Sequence, residues 1–308
     1  MLERALELAE RGRGTTHPNP VVGAVVVRDG EVVGEGWHER KGGPHAEVAA
    51  LTDAGEAARG ATLYVTLEPC SRQGETPPCV EAIVAAGIAK VVVGAEDPSQ
   101  EGAARLREAG VEVEILDLWE ARRQNEAWLT WVREGRPFVT YKAAVTLDGR
   151  MTLPGERWVS GEESRRHVHE LRAASDAVAV GMGTVRADNP RLDARGVEVV
   201  RQPRRLAFGR GPLPAGSELE LLSGPLDDEL WRLAAEGAQS LLLEGGPALA
   251  ASFFAADLVD KLMLFVAPKL AGEGPGLLAA LPQAVTLTRL AAQPVGEDVL
   301  LTAYVHEP

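Results

Sequence analysis

One short stretch of the sequence contains the residues best suited to hold a catalytic metal ion. Within residues 44–79 it reads P-H-A-E, then T-L-E-P-C, then T-P-P-C, and it includes both cysteines of the chain. A hydrolytic zinc site needs three protein ligands and one open position for water. His45, Cys70 and Cys79 would supply the three ligands. Glu47 would then be the carboxylate that carries protons for the zinc-bound water.

The spacing of these residues indicates how they would be positioned. His45 and Glu47 are two residues apart, so in the middle of a helix they would point to nearly opposite sides. In the first turn of a helix that starts near Pro44, both can lean toward a site at its N-terminus. Two prolines precede Cys79 and a short apolar helix, and a helix N-terminus lowers the pKa of a thiol. Two helix N-termini are therefore expected to converge on one metal ion.

The alternative for these residues is purely structural, with two free core cysteines and an ordinary hydrogen-bonded histidine. The combination of H-x-E with two later P-C pairs favours the metal site, because it is typical of zinc-dependent nucleobase deaminases. Here eight residues separate the two cysteines, where the usual pattern has two. The inserted residues 71–78 predict a loop at the mouth of the site that could contact a substrate.

Length and composition bound the class of protein. The 308 residues are enough for two ordinary domains, and 45% apolar residues allow sizeable cores. The formal net charge of −13 argues against a nucleic-acid partner, which would need basic patches. With both cysteines assigned to the metal no disulfide is expected, which indicates a cytoplasmic protein. We expect no signal peptide and no membrane association, because the apolar runs are short and interrupted by charges.

Apolar patterns predict the elements that position the site. An N-terminal helix and a β-hairpin come first, and strands then alternate with helices, which predicts a layered α/β domain. One helix is expected over Asp117–Arg133, followed by a boundary at Glu134–Pro137. Residues 1–135 would form a zinc-dependent domain and residues 136–308 a second α/β domain.

The second domain contains two strands that each lead into a glycine-rich turn and then a helix. The turns are G-M-G-T-V at Gly181–Val185 and E-G-G-P at Glu244–Pro247. Backbone amides and the helix dipole of such a turn can hold a phosphate group. One such turn is equally well explained as a tight turn, but two favour a ligand with several phosphates, such as a dinucleotide. The Gly- and Pro-rich residues 197–226 give no assignment.

Together these motifs resemble a known family over nearly the whole chain, in order. The segments H-A-E, T-L-E-P-C, T-P-P-C, Y-K-A-A-V-T-L-D-G-R, V-G-M-G-T-V-R-A-D-N-P-R-L and L-L-L-E-G-G-P are similar to the bifunctional deaminase/reductase of riboflavin biosynthesis. The resemblance implies a cytidine-deaminase-like three-layer α/β/α domain followed by a dihydrofolate-reductase-like α/β domain. It implies hydrolytic removal of the 2-amino group of 2,5-diamino-6-ribosylamino-4(3H)-pyrimidinone 5′-phosphate, followed by NADPH-dependent reduction of the ribosyl group to ribityl.

The resemblance also implies roles for individual residues. Glu47 would be the proton shuttle beside the zinc ligands His45, Cys70 and Cys79. Residues expected to contact one of the two substrates are Asn19, Arg72, Asp97, Trp158, Arg172, Leu192, Arg195 and Glu244. Residues expected to contact NADPH are Lys142, Gly181, Gly183, Thr184, Asn189, Gly245 and Gly246.

The sequence departs from the family pattern at a few positions. In the loop between the cysteines, Arg72 and Glu75 replace a histidine and a basic residue that meet the substrate phosphate. The family's D-P-N-P is D-P-S-Q at Asp97–Gln100, Asn189 replaces an aspartate, and Gly209 follows a strand that usually ends in aspartate. We expect Arg72 to contact the phosphate and Glu75 to point away. The acid/base residue of the reduction is not indicated.

Other interpretations are a zinc deaminase of a nucleoside or tRNA with an unrelated second domain, and a deaminase with a degenerate, regulatory or inactive reductase half. A third, from a different class, is a zinc-structured binding protein without activity. The acidic net charge and the two phosphate turns argue against the first. The sequence leaves open the oligomeric state, including a homo-oligomer, and the choice between NADPH and NADH. Arg204, Arg205 and Arg210 could meet a 2′-phosphate.

Overall fold

The computed structural model describes residues 1–74 and 76–308, so Glu75 and its expected orientation lie outside the described residues. Contacts divide the chain into two compact units, Met1–Glu134 and Gly135–Glu307. Among the helices of the described residues, none combines the length and the apolar character that a membrane span requires.

The first unit is built on a five-stranded sheet. Its strands are β1 (Gly23–Arg28), β2 (Glu31–Trp37), β3 (Thr62–Leu67), β4 (Lys90–Ala95) and β5 (Glu112–Ile115). They lie in the order β2-β1-β3-β4-β5, antiparallel where β1 meets β2 and β3 and parallel beyond β3. Its helices are α1 (Leu2–Glu10), α2 (Ala46–Ala54), α3 (Cys79–Ala86), α4 (Gly102–Glu108), α5 (Trp119–Gln124) and α6 (Glu126–Glu134), with a 3₁₀ turn at Gly55–Ala58.

The sheet of the first unit is covered on both faces. Successive strand residues point to opposite sides, so Val26 and Val93 join a core with α2, α3 and α4, whereas Val25 and Val92 pack against α1. This produces three layers, helix–sheet–helix, as the alternation of strands and helices predicts.

Helix α2 lies unusually close to strand β2 because two strand residues have no side chain. A Cβ at Gly34 would lie 2.4 Å from the carbonyl oxygen of Ala50, and one at Gly36 would lie 2.4 Å from the amide nitrogen of Ala50. Any other residue at either position would push the helix away from the sheet. These glycines therefore fix the position of α2, and with it the residues at its N-terminus.

The prediction of one helix over Asp117–Arg133 is wrong, because the chain forms two helices, α5 and α6, that are separated at Asn125. The buried carboxamide of Asn125 donates from Nδ2 to the carbonyl oxygen of Val21 at 2.9 Å. Its Oδ1 accepts from the Val21 amide at 3.0 Å. The amide and the carbonyl group of Val21 are thus both hydrogen-bonded to the side chain of Asn125. The backbone of Asn125 leaves the helical region (φ −116°, ψ 27°), which interrupts the helix.

The second unit is built on an eight-stranded sheet. Its strands are β6 (Phe138–Thr146), β7 (Ala177–Gly181), β8 (Arg204–Phe208), β9 (Glu220–Leu222), β10 (Ser240–Leu243), β11 (Lys261–Ala267), β12 (Thr288–Val295) and β13 (Asp298–Tyr304). The order is β12-β13-β11-β6-β10-β7-β8-β9, parallel from β11 to β9 and antiparallel at β13 and β12. Its helices are α7 (Glu162–Ala174), α8 (Met182–Asp188), α9 (Leu226–Ala235) and α10 (Pro247–Ala255).

The second unit contains elements that the sequence did not assign. Residues 197–226 include β9, which was not assigned, and β8, the strand that the family resemblance placed before Gly209. Helix α9 buries Leu230, Leu233 and Ala234 at helical spacing and has three acidic residues in its first turn, a signal that was present in the sequence. Strand β12 carried no such signal, because its residues are almost all exposed at the edge of the sheet.

A buried ion pair anchors the first strand of this sheet. The guanidinium of Arg136 donates to both oxygens of Asp260 at 2.8 and 2.7 Å, and the two side chains are only 8% and 1% exposed. Asp260 also accepts from the amide of Val139 at 2.7 Å. A charge buried in this way is costly if its partner is removed.

Asp260→Ala should therefore destabilise the second unit by about 3–5 kcal/mol, because it removes the carboxylate that both Nη atoms of the buried Arg136 guanidinium bond to. Chemical denaturation followed by tryptophan fluorescence would measure the change. Glu156→Ala is the matched control, since Glu156 forms an exposed ion pair with Lys269 in the same unit and should cost at most about 1 kcal/mol. Equal free energies of unfolding for the two variants would contradict the anchoring role.

Candidate metal centre and glycine-turn site

Three elements bring the candidate metal ligands together. His45 caps the N-terminus of α2, Cys70 follows β3, and Cys79 is the first residue of α3. Nδ1 of His45 lies 3.5 Å from Sγ of Cys70 and 3.3 Å from Sγ of Cys79. One ligand atom from each of the three residues lies within 4.8 Å of the others, and no other group of this kind exists among the described residues.

The donor set fits zinc, whose usual protein ligands include thiolate sulfur and imidazole nitrogen. The Cys79 amide donates to Sγ of Cys70 at 3.2 Å. Hydrogen bonding between the two sulfurs lowers the pKa of Cys70 and raises that of Cys79. The first proton is therefore lost more readily from Cys70, and a bound cation would favour loss of the second.

Glu47 lies in the first turn of α2, next to the three candidate ligands, and is not one of them. Its side chain is buried, at 3% exposure. Burial raises the pKa of Glu47, which suits a carboxylate that takes up and releases protons. The arrangement therefore combines three metal donors with one spare buried carboxylate.

Asn19 is linked to the metal centre through His38, which the sequence analysis missed. The His38 ring packs edge-on against His45 with centroids 5.3 Å apart. Its Nδ1 lies 3.0 Å from the Pro44 carbonyl oxygen, and Nε2 lies 3.2 Å from Nδ2 of Asn19. Burial lowers the pKa of His38, so the neutral ring donates to Pro44 and accepts from Asn19. This leaves Oδ1 as the atom that Asn19 can present to a substrate.

Asp97 and Arg72 face the same region from different loops. Asp97 follows β4 and is buried, and its Oδ1 accepts from the amide and hydroxyl of Ser99 at 2.8 and 2.7 Å. Burial raises the pKa of Asp97, while the positive charge of Arg72 opposes that shift. Arg72 itself is exposed, so its guanidinium is accessible to a ligand.

Two side chains tie the loop of Asp97 to the segment on either side of Cys70. Glu68 accepts a hydrogen bond from the amide of Asp97 at 3.2 Å. Gln100 accepts one from the amide of Ser71 at 2.9 Å. Sequence reasoning gave neither side chain a role. The only signal was a polar residue in T-L-E-P-C at the end of an apolar strand.

In the second unit a buried carboxylate sits between two cations. Glu244 follows β10, and its oxygens accept from Nε and Nη2 of Arg172 at 2.5 and 3.0 Å and lie 2.9 Å from Nζ of Lys142. Burial favours the protonated carboxyl, but the charges of Lys142 and Arg172 outweigh it and lower the pKa of Glu244 to about 2. The fork of Arg172 is therefore occupied by Glu244 and is not free to clamp a phosphate.

The two glycine turns lie at the carboxyl ends of adjacent parallel strands, β7 and β10, where ligands bind in open α/β sheets. Gly181 precedes α8, and Gly246 precedes α10. A Cβ at Gly181 or Gly245 would press on Leu249 at 3.3 or 3.0 Å, so packing explains these two glycines.

Gly183 and Gly246 have no such internal reason to be glycine. A Cβ at Gly183 would meet nothing within 4 Å, and one at Gly246 would meet only the hydroxyl of Thr184 at 3.6 Å. Neither residue has a positive φ. The space in front of both backbones lets an external group approach them closely. Thr184 lies between the two turns, so a phosphate-bearing cofactor fits this surface.

The other predicted residues of this unit are placed differently. Asn189 ends α8 in the left-handed conformation (φ 40°), a conformation that asparagine tolerates. Leu192 is 2% exposed, and its side chain packs in the core, so it could meet a ligand only through its backbone. Arg195 is 55% exposed and pairs with Asp193, whose carbonyl oxygen also accepts from Arg172 at 3.2 Å.

Trp158 is half exposed and lies outside these contacts among the described residues. The guanidinium carbons of Arg157 and Arg165 sit 4.9 and 5.6 Å from its ring centroid.

Arg204 and Arg205, considered for a 2′-phosphate, are engaged in ion pairs. Arg204 pairs with Glu220 and Glu236, and Arg205 pairs with Glu218.

Comparison with known proteins covers both units. A model described as the cytidine and deoxycytidylate deaminase zinc-binding region matches residues 1–95, and the RibD C-terminal domain model matches residues 137–301. The riboflavin biosynthesis protein RibD of Aquifex aeolicus is 39% identical over 97% of this chain and 96% of the relative. That of Escherichia coli is 39% identical over 97% of each chain.

Solved structures agree with these matches. Acinetobacter baumannii RibD is 35% identical, with a TM-score of 0.87 over 98% of this chain and 97% of that one. A diaminohydroxyphosphoribosylaminopyrimidine deaminase/5-amino-6-(5-phosphoribosylamino)uracil reductase from Thermotoga maritima is 34% identical, with a TM-score of 0.83 and the same coverage. The expected pair of α/β folds is thereby confirmed.

The geometry predicts that Cys79 and Glu47 respond differently to substitution. Cys79→Ala removes one of three ligands and should lose the metal ion. Glu47→Gln should retain it, because His45, Cys70 and Cys79 are unchanged and glutamine has nearly the same shape as glutamate. Zinc content of the purified full-length variants, measured by atomic emission against the wild type, would test this. Loss of zinc in Glu47→Gln would make Glu47 a ligand.

Proposed function

We propose substrates and residue roles for this protein, starting from the fact that the chain belongs to the RibD family of riboflavin biosynthesis proteins. The chain is a bifunctional enzyme, with a zinc-binding deaminase domain and an NADPH-utilising reductase domain, and it acts on small phosphorylated pyrimidines. We assign residues 1–135 to the deaminase and residues 136–308 to the reductase. The substrates would be 2,5-diamino-6-ribosylamino-4(3H)-pyrimidinone 5′-phosphate and then 5-amino-6-(5-phosphoribosylamino)uracil.

In the deaminase, His45, Cys70 and Cys79 would hold the zinc ion. When bound, zinc supplies a water molecule whose pKa is near neutrality. The carboxylate of Glu47 would accept one proton of the attacking water and pass it to the ring nitrogen. It would then carry the hydroxyl proton of the resulting adduct to the amine, which leaves as ammonia while the ring carbon keeps the oxygen as a carbonyl. This assignment is supported chiefly by the meeting of three ligand atoms within 4.8 Å beside the buried Glu47.

Three further residues would hold the pyrimidine and its phosphate in the deaminase. Oδ1 of Asn19 is oriented by His38 as a hydrogen-bond acceptor. The carboxylate of Asp97 is fixed by Ser99 and can accept from an N–H or hydroxyl group of the substrate. Arg72 is exposed in the loop and supplies a positive charge for the phosphate.

In the reductase, bound NADPH would supply a hydride for C1′ of the ribosyl group, and a proton taken up from water would complete the reduction to ribityl. Gly183, Thr184 and Gly246 would meet the cofactor phosphates, with Gly181 and Gly245 shaping the turns and Lys142 and Asn189 beside them. Glu244 would hold the substrate between the charges of Lys142 and Arg172. The more exposed Arg195 is better suited than Arg172 to bind the phosphate. Leu192 would contribute its backbone, and Trp158 an aromatic surface.

Several observations count against a degenerate second half. Glu244 forms ion pairs with both Lys142 and Arg172. Both glycine turns are present as well, at the carboxyl ends of adjacent strands. A cluster with so much buried charge would be costly to keep without a use. We therefore favour two active halves.

We also propose that the enzyme acts in the cytoplasm on free substrates, without nucleic-acid or membrane partners. The net charge of −13 and the commitment of both cysteines to the metal centre support this. The exposed edge strand β12, with Leu290 at 71% exposure, leaves homo-oligomerisation open.

A crossed pair of variants tests both halves in the same chain. Glu47→Gln should lower ammonia release by about 10²–10⁴-fold and leave reduction of the deaminated substrate unchanged. Gly246→Val should weaken NADPH binding, with Gly246→Ala intermediate, because side chains of increasing size enter the space in front of the turn, while ammonia release stays normal. Titration of NADPH fluorescence and separate assays of the two steps would measure this. Near-normal deamination by Glu47→Gln, or normal NADPH titration by Gly246→Val, would refute the corresponding assignment.

Arg72→Ala should raise the KM for the phosphorylated deaminase substrate, because it removes the loop's cation, and should leave the zinc content unchanged. Arg105→Ala is the matched control, since it removes an exposed arginine from α4 in the same unit. If KM is unchanged in Arg72→Ala, the phosphate is bound elsewhere.

A further inference from the structure

His45 uses its two ring nitrogens in different directions. Nδ1 faces the sulfurs of Cys70 and Cys79, at 3.5 and 3.3 Å. Nε2 lies 3.2 Å from Oγ1 of Thr76. We propose that Thr76 is a positioning residue of the metal centre, whose hydroxyl accepts the Nε2–H of His45 and so holds Nδ1 toward the metal ion. This inference rests on the metal site of the proposed function.

The chemistry of imidazole explains why such a partner matters. A neutral ring carries one proton, and the hydrogen bond at one nitrogen determines which nitrogen carries it. To bind a cation through Nδ1, His45 must carry its proton on Nε2. A hydroxyl oxygen at that nitrogen favours this tautomer and opposes rotation of the ring. Hydrogen-bond partners of metal-bound histidines typically contribute about 10–100-fold to metal affinity.

Thr76 is itself held firmly enough to act in this way. Its carbonyl oxygen accepts from the amide of Gly74 at 3.2 Å and lies 3.3 Å from Nε2 of Gln73. Two prolines follow it, with φ fixed by their rings, and they lead directly to Cys79 at the start of α3. The hydroxyl is therefore attached by a short, stiff segment to another metal ligand.

No other side chain competes for this role among the described residues. His38 touches the ring of His45, but its own nitrogens lie against Pro44 and Asn19. Glu47, in the first turn of α2, hydrogen-bonds to the side chain of Cys79. The Thr76 hydroxyl is the one described hydrogen-bond partner of Nε2.

The same loop carries Arg72, the residue proposed to meet the substrate phosphate. Thr76 therefore links the loop that carries Arg72 to the ring of His45. The eight-residue segment between the cysteines would therefore serve both to contact the substrate and to support the metal ligand His45.

The first test is zinc affinity in the full-length protein, measured by competition with a chromophoric chelator. Thr76→Val removes the hydroxyl and nearly keeps the shape, and it should weaken zinc binding by about 10–100-fold. Thr76→Ser keeps the hydroxyl and should bind within a few-fold of the wild type. Thr52→Val is the matched control, because Thr52 lies on α2 and bonds only to the Val48 carbonyl oxygen in the described contacts. It should leave affinity unchanged.

A second readout separates positioning from general loosening of the loop. In the zinc-loaded protein, ¹⁵N–¹H correlation spectra of His45 should show Nε2 protonated, and Thr76→Val should speed exchange of that proton with water. Thr76→Ala supplies the same comparison if the valine variant fails to fold. Zinc affinity equal to wild type in Thr76→Val and Thr76→Ala would overturn the proposal, as would a serine variant as weak as valine. Failure of the wild type to bind zinc would instead refute the metal site.

Discussion

The metal centre depends on how closely helix α2 approaches the sheet. Gly34 and Gly36 on β2 remove the side chains that would otherwise separate the two elements. Helix α3 packs beside α2 in the same core, and β3 ends next to both. If α2 moved outward by the width of one methyl group, the His45 nitrogen would leave the two sulfurs. The ligand geometry is thus a consequence of backbone packing, and the residues near the metal refine it.

The reductase half uses a different constraint with a similar outcome. Strands β6, β10 and β7 are adjacent and parallel, so the residues at their carboxyl ends gather at one edge of the sheet. Glu244 is buried there only because Lys142 and Arg172 compensate its charge. Removing either cation would leave a buried carboxylate that is poorly compensated. The electrostatics of this site and the stability of the sheet edge are therefore linked.

The sequence was informative where chemistry and local structure coincide. The pair His45 and Glu47 and the two glycine turns could be predicted because each sits next to an element boundary that leaves a clear local pattern. Contacts between distant polar side chains and backbone groups could not be predicted. The bonds from Asn125 to Val21 and from Glu68 to Asp97 have no periodicity and join residues far apart in the chain. Leu192 was predicted as a substrate contact from the family resemblance alone. A resemblance of sequence does not show that the Leu192 side chain is buried in the core.

The bond between Gln100 and Ser71 has a consequence for protein engineering. The family pattern D-P-N-P that this sequence resembles has proline in place of Gln100, and a proline ring would stiffen the loop backbone, whereas in this protein the Gln100 side chain joins two loops. A loop grafted from a relative would arrive without the partner it needs on the other side. Attempts to broaden the substrate range by exchanging the segment after β4 should therefore exchange the segment after Cys70 as well, since the two now form a single transplantable part.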